Sequence, residues 1–358
     1  MHTRLLPTLA LLLSLGASAL AATIELLAGC GTREPAGPAT ECALREPFGT
    51  AFLPDGTLAI VEMASGNRLL HVDKAGVMHV IGGTGVKGFA GDGGDARKAQ
   101  FNGVHNIAIT PEGNMFLSDA FNNRIRKISA KTGIITTFAG TGKKGFSGDG
   151  GPADKAEFAT IIQIALDPSA KHLYLADIGN RRIRRITLAT GIVETVAGNG
   201  KTGKPENGAV AKDAPLSDPR AVVAAADGSF YILERNGNAL RFVDTAGKIK
   251  TVVGTGKTGL SGDGGPALEA TMSGPKHLCL DRDGSVIIAD AENQVVRRYD
   301  PKTGLITRVA GTGKKGTAGL GGDPLACELA RPHGVTIAPN GNLIITDSYN
   351  NRVLRIVP

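Results

Sequence analysis

Four residues of this chain could converge on a negatively charged group: His105, Arg220, Lys276 and His333. Counted back from the turn glycines Gly56, Gly113, Gly228, Gly284 and Gly341, one equivalent position holds Phe48, His105, Arg220, Lys276 and His333. Ile162 fills it in a unit with one extra residue. Two cations and two imidazoles at one position supply the donors that a carboxylate or other oxyanion needs. Other chemistry is harder to build. The connection Gly140 to Ala153 reads Gly-Thr-Gly-Lys-Lys-Gly, then Gly-Asp-Gly-Gly-Pro-Ala. A phosphate-cradling loop needs Gly-Lys-Ser/Thr opening a helix, and no helical run follows. Lys143, Lys144, Lys314 and Lys315 therefore read as solvated charges, partly offset by Asp149 and Asp323. The Asp-Gly-Gly turns match neither an EF-hand nor the nonapeptide calcium repeat. No Gly-x-Ser-x-Gly nucleophile elbow is present.

A repeat must place those four residues. Ala28-Gly29-Cys30-Gly31, Gly82-Gly83-Thr84-Gly85, Ala139-Gly140-Thr141-Gly142, Ala197-Gly198-Asn199-Gly200, Val253-Gly254-Thr255-Gly256 and Ala310-Gly311-Thr312-Gly313 recur every 54 to 58 residues. Such a period marks a repeat architecture. Each unit reads as four short strands parted by turn signals such as Asp55-Gly56, Ala75-Gly76 and Thr132-Gly133. The last unit ends after three strands, at Val353–Val357. The first Ala-Gly-x-Gly copy follows a strand, Ile24 to Ala28, that has no unit of its own. That strand is expected to complete the last unit and close a ring. The fold class is then all-β: a six-bladed β-propeller, four antiparallel strands per blade. Closure removes the free sheet edges that invite aggregation.

The blade motif resembles the NHL-repeat family. It is carried by Asp119-x-x-Asn122-Asn123-Arg124-Ile125, Asp177-x-x-Asn180-Arg181-Arg182-Ile183, Asp290-x-x-Asn293-Gln294-Val295-Val296 and Asp347-x-x-Asn350-Asn351-Arg352-Val353. Glu62 and Glu234 replace the Asp in the first and fourth units. Asp and Asn bond local backbone and tolerate the left-handed region, so they shape the turn between second and third strands. In Ile125-Arg126-Lys127-Ile128 the apolar residues face a neighbouring blade, and the Arg and Lys stems are expected to cover apolar edge.

The chain is more distantly similar to the peptidyl-hydroxyglycine amidating lyase, a propeller that holds zinc with three His at this strand start. Arg331-Pro332-His333-Gly334 matches that pattern and His105 matches by position. Blade four carries Arg220 where a third ligand would stand, and His277 is one residue out of phase. No cofactor is therefore expected, with zinc or calcium as the alternatives.

Residues 1–21 read as an export signal: Arg4, an apolar run from Leu5 to Leu15, and Ala19-Leu20-Ala21 as the cleavage site. Residues 22–358 are then one propeller. Leu27-Ala28-Gly29-Cys30 also resembles a lipoprotein box, but the repeat explains Leu-Ala-Gly without lipid. The four Cys suit an oxidising compartment. A Cys30–Cys42 disulfide is expected to pin the closing strand, with Cys30–Cys327 as the alternative. The formal charge is +7, with 33 acidic residues interspersed. The export signal and the propeller together lead to the expectation of a secreted or periplasmic, monomeric binding module for a protein, glycan or anionic small ligand. The alternative is a metal-dependent lyase or hydrolase acting at the central channel mouth. The export signal argues against nucleic acid, and no second apolar run is long enough to span a membrane.

Overall fold

A computed structural model describes residues 22–358; the export signal lies outside the described residues. Six antiparallel sheets form six blades. Three blades gain a two-residue fifth strand at the outer edge, at Gly37–Pro38, Ala209–Val210 and Gly265–Pro266. The second blade shows the common order: Val104–Ile109, Met115–Asp119, Arg124–Ile128 and Ile135–Ala139. Short β-branched and aromatic runs pack on both sheet faces. Phe116 of this blade, for example, shares one core cluster with Phe158, Ile164, Leu173 and Leu175 of the next. Because the strands alternate in direction, the 2–3 turns and the blade-to-blade connections leave from one face. The 1–2 and 3–4 hairpins leave from the other.

The Ala-Gly-x-Gly turn is a backbone requirement. Gly140 has φ +94°, and a Cβ there would stand 2.4 Å from the Asn123 carbonyl oxygen. Only Gly adopts that conformation without strain.

The ring closes as expected. Thr23–Gly29 pairs antiparallel with Arg352–Val357, with Ile24 opposite Ile356 and Glu25 opposite Arg355. It also takes the outer-edge bonds of a fourth strand. Ile24 N–H donates to Gly322 O at 2.9 Å and Gly321 N–H to Ile24 O at 2.8 Å. Ile135 makes the same exchange with Gly93 and Gly94 in the second blade. Cleavage ahead of Cys30 would remove this strand.

The Asp-x-x-Asn turn holds three segments together. Asp119 Oδ1 accepts from Asn102 N–H at 2.7 Å, and Oδ2 accepts from Asn122 Nδ2 at 2.9 Å. Asn123 follows in the left-handed region at φ +51°. Burial pushes Asp119 up to about 6, against the pull of Asn122, the Asn102 amide and Arg126. Arg126 departs from expectation. It is fully buried rather than lying over an edge, and reaches Asp92 at 2.7 Å and Asp119 at 3.4 Å. Arg184 and Arg297 are its buried counterparts in two other blades, and Arg352, from the register of Arg124, is buried against Asp347 at 2.7 Å in the last. An Arg seven residues after the motif Asp recurs as Arg126, Arg184 and Arg297, and that spacing is the signal for these internal ion pairs.

The expected Cys30–Cys42 disulfide is corrected: all four cysteines are free. Cys30 is exposed, with φ +68° in the turn, whereas Cys42 is buried with its Sγ 3.6 Å from Gly37 O. The Cys30–Cys327 alternative fails likewise, since Cys327 is buried among Val296, Leu329 and Leu354. Thiol titration of the native protein should find Cys30 reacting fast and Cys42 and Cys327 only on unfolding. Two thiols missing after denaturation would restore the disulfide.

Candidate functional site

The four equivalent residues do meet, at the centre of the face that carries the 2–3 turns. They form a plug rather than an open lining: His105 is 3% exposed, His333 4%, Lys276 5% and Arg220 7%. Each sits at or just before the start of an innermost strand, so the ring brings different blades to one point. Phe48 and Ile162, at the same position, are also buried.

The contacts run as a chain around the channel. Arg220 Nη2 donates to His105 Nε2 at 3.0 Å. The His105 ring meets Phe48 edge-on at 4.8 Å, and Phe48 stacks on His333 at 4.1 Å. His333 stacks in turn on Tyr349 at 5.7 Å. Arg331 Nη1 donates to the Tyr349 hydroxyl at 2.8 Å and Arg331 Nε to Glu292 Oε1 at 3.1 Å. Lys276 Nζ pairs with the same Glu292 oxygen at 2.9 Å.

Protonation follows from these contacts. A guanidinium only donates, so His105 Nε2 accepts and the ring proton lies on Nδ1. Burial, and next the charge of Arg220, hold His105 well below its usual range, so it stays neutral. His333 is neutral for the same two reasons, and its Nδ1–H donates to Arg331 O at 2.7 Å. Burial brings Lys276 down to about 8 and Arg220 to about 10. Two donors are left over. His105 Nδ1–H and Arg220 Nε–H are buried and have no partner. Buried donors are nearly always satisfied, and an orphan costs roughly 1–3 kcal/mol.

Glu292, Arg331 and Tyr349 were not singled out from the sequence. Glu292 and Tyr349 fill the second variable place of Asp-x-x-Asn, in Asp290-Ala291-Glu292-Asn293 and Asp347-Ser348-Tyr349-Asn350. That place carries Phe121 in blade two, also exposed on this face. The motif positions both were visible; what they touch was not.

His277 stands one layer below, within 3.1 Å of Asn106 Nδ2. It belongs to a pocket of 220 Å³ on the far side of the plug, walled by Ile109, Leu166 and Leu278. The residues do not fit a three-His zinc site. The His105 lone pair is taken by Arg220, and His277 faces the lower pocket. The Asp-Gly-Gly carboxylates are likewise committed: Asp149 binds Arg184 at 2.8 Å and Thr195 at 2.6 Å.

The teneurin NHL domain model matches residues 155–261, and the NHL repeat model matches residues 329–356. The chain is 26% identical to the chloroplastic protein SUPPRESSOR OF QUENCHING 1 of Arabidopsis thaliana over 287 residues, 77% of this chain and 27% of that protein. It is 23% identical to NHL repeat-containing protein 2 of Gallus gallus over 333 residues, 84% of this chain and 45% of that one. It thus spans less than half the length of these relatives. Among solved structures, an auxiliary nutrient binding protein from Bacteroides thetaiotaomicron superposes with a TM-score of 0.68 at 15% identity, covering 94% of this chain and 76% of that one. That likeness shows the fold.

Proposed function

Because this chain is an NHL-repeat β-propeller, we propose that it acts as an exported binding module that takes an anionic ligand at the centre of its 2–3 turn face. Rigid rings that present variable loops serve recognition. One protein of the same fold is described as an auxiliary nutrient binding protein, which agrees with this use. The observation that carries the reading is the pair of orphaned donors, His105 Nδ1–H and Arg220 Nε–H. Both require an acceptor, and a carboxylate oxygen supplies one with charge as well. Glu292 is the competing anion already present, held by Lys276 and Arg331. A ligand carboxylate would share or displace it.

The reading is tested by calorimetric titration with peptides bearing a free or an amidated C-terminus, and with small carboxylates. Free acids should bind and their amides should not. Arg220→Met should weaken binding at least tenfold, about 1.5–3 kcal/mol for a charged hydrogen bond. Equal affinity for acids and amides would end the proposal. The pH dependence has a definite sign. Lys276 is cationic below about 8 and loses its proton above it, so affinity should fall as pH rises through about 8. It should not rise near pH 6.5, because His105 and His333 stay neutral there.

A further inference from the structure

The blade-to-blade connections carry lysines that the fold leaves uncompensated. Lys87, Lys144, Lys201, Lys257, Lys314 and Lys315 lie on five of the six connections, and all are exposed. Asp149 and Asp323 were expected to offset such charges. Instead Asp92, Asp149 and Asp263 turn inward to buried Arg126, Arg184 and Arg297, at 2.7, 2.8 and 2.8 Å. Asp323 accepts from the Leu325 amide at 2.9 Å. Among the described residues the lysines held in ion pairs are Lys143, Lys155 and Lys276, none of the six. Three loop aspartates are thus committed to internal pairs, and the six lysines stand exposed without an ion-pair partner among the described residues.

The connections that carry them lie on the face of the 2–3 turns. Asn122, Asn293 and Asn350 of the 2–3 turns donate to Gly88, Gly259 and Gly316 of the connections, at 2.7 to 2.8 Å. Asn180 does the same to Gly145. Apolar side chains stand beside the lysines: Val86 is 55% exposed, Phe89 42% and Phe146 42%. The open pockets of 310, 470 and 480 Å³ lie on the opposite face, against the hairpins at Gly56, Arg282 and Gly133. A linear polyanion would want a groove among the cations. A ring of lysines around a face, mixed with exposed Phe and Val, suits a planar partner.

We propose that this face docks on an anionic phospholipid surface. The lysines supply attraction to the headgroups, and Val86, Phe89 and Phe146 enter the interface. These lysines and apolar side chains are different residues from the channel-mouth donors, which lie at the centre of the same face.

Co-sedimentation of the full chain with vesicles tests it, read as partitioning onto phosphatidylglycerol-containing vesicles relative to pure phosphatidylcholine. Residues 1–21 are common to parent and variants, so the difference between them reports this face alone. The ratio should rise with phosphatidylglycerol content and collapse in high salt. Each lysine near such a surface is worth about fivefold. The triple variant Lys144→Gln, Lys314→Gln, Lys315→Gln should therefore lower the ratio on the order of 100-fold, with an unchanged melting temperature. Phe146→Ser should lower binding to both vesicle types without changing the salt slope. Arg220→Met should leave the ratio intact, which separates this proposal from the channel-mouth site. A ratio near one at low salt, or a triple variant that partitions like the parent, overturns it. Binding to heparin without binding to vesicles also overturns it, in favour of a linear polyanion.

Discussion

Removal of residues 23–29 is expected to open the ring and cost most of the stability of the protein. Ile24 is fully buried, against a cluster that includes Val296, Leu329 and Leu354. Its loss alone removes about 2–3 kcal/mol of apolar burial. The strand also surrenders a ladder of six register partners, from Thr23–Val357 to Gly29–Arg352. At about 1 kcal/mol per net hydrogen bond the total reaches roughly 5–10 kcal/mol, the size of a typical domain stability. The deletion should leave Arg352–Val357 as a bare edge and promote aggregation. Ile24→Asp keeps the chain length and seals a charge into the same cluster, so it should cost about 3 kcal/mol or more. Thermal melting checks both. A deletion variant that melts with the parent would show that the last blade stands without its fourth strand.

Arg184→Met is expected to be the most costly single substitution inside a blade, at roughly 3–5 kcal/mol in chemical denaturation. The guanidinium is fully buried. It donates to Asp149 Oδ1 at 2.8 Å, Glu157 O at 3.0 Å and Ser147 O at 2.8 Å, with Asp177 at 3.8 Å. Phe158 lies 4.7 Å from it. Methionine fills the volume but leaves the Asp177 carboxylate without its cation and two carbonyls without a donor. Burial already pushes Asp177 up to about 6, against Asn180, the Ala159 amide and Arg184. A carboxyl raised above its unfolded value favours the protonated fold, so stability returns as pH falls through the folded pKa. The Arg184→Met penalty should therefore be larger at pH 8 than at pH 5. Adding Asp177→Asn should recover part of it. Additive losses in the double variant, independent of pH, would mean that the two groups are not coupled.

The periodicity alone was enough for the architecture. Six spaced Gly-x-Gly turns and a terminal fragment lacking one strand left little choice but a closed ring, because a positive-φ glycine and a strand period are local properties. The strand starts also nominated His105, Arg220, Lys276 and His333 by register, before any contact between them was visible. Burial decided the rest. Arg126 and Lys127 look alike in sequence as adjacent cations, yet one is fully buried and its neighbour is not. Asp149 and Asp323 read as partners for the lysines, yet Asp149 turns to a sealed arginine and Asp323 to the Leu325 amide. Cys30 and Cys42 are close in sequence, yet a backbone turn at φ +68° holds one outside and packing holds the other within. Glu292, Arg331 and Tyr349 join the site because blades five and six are adjacent in space, which no local pattern of residues encodes. A repeat specifies each blade from its own residues. Which charges are paired, buried or left free depends on the neighbouring blade, and that is settled only when the ring is closed.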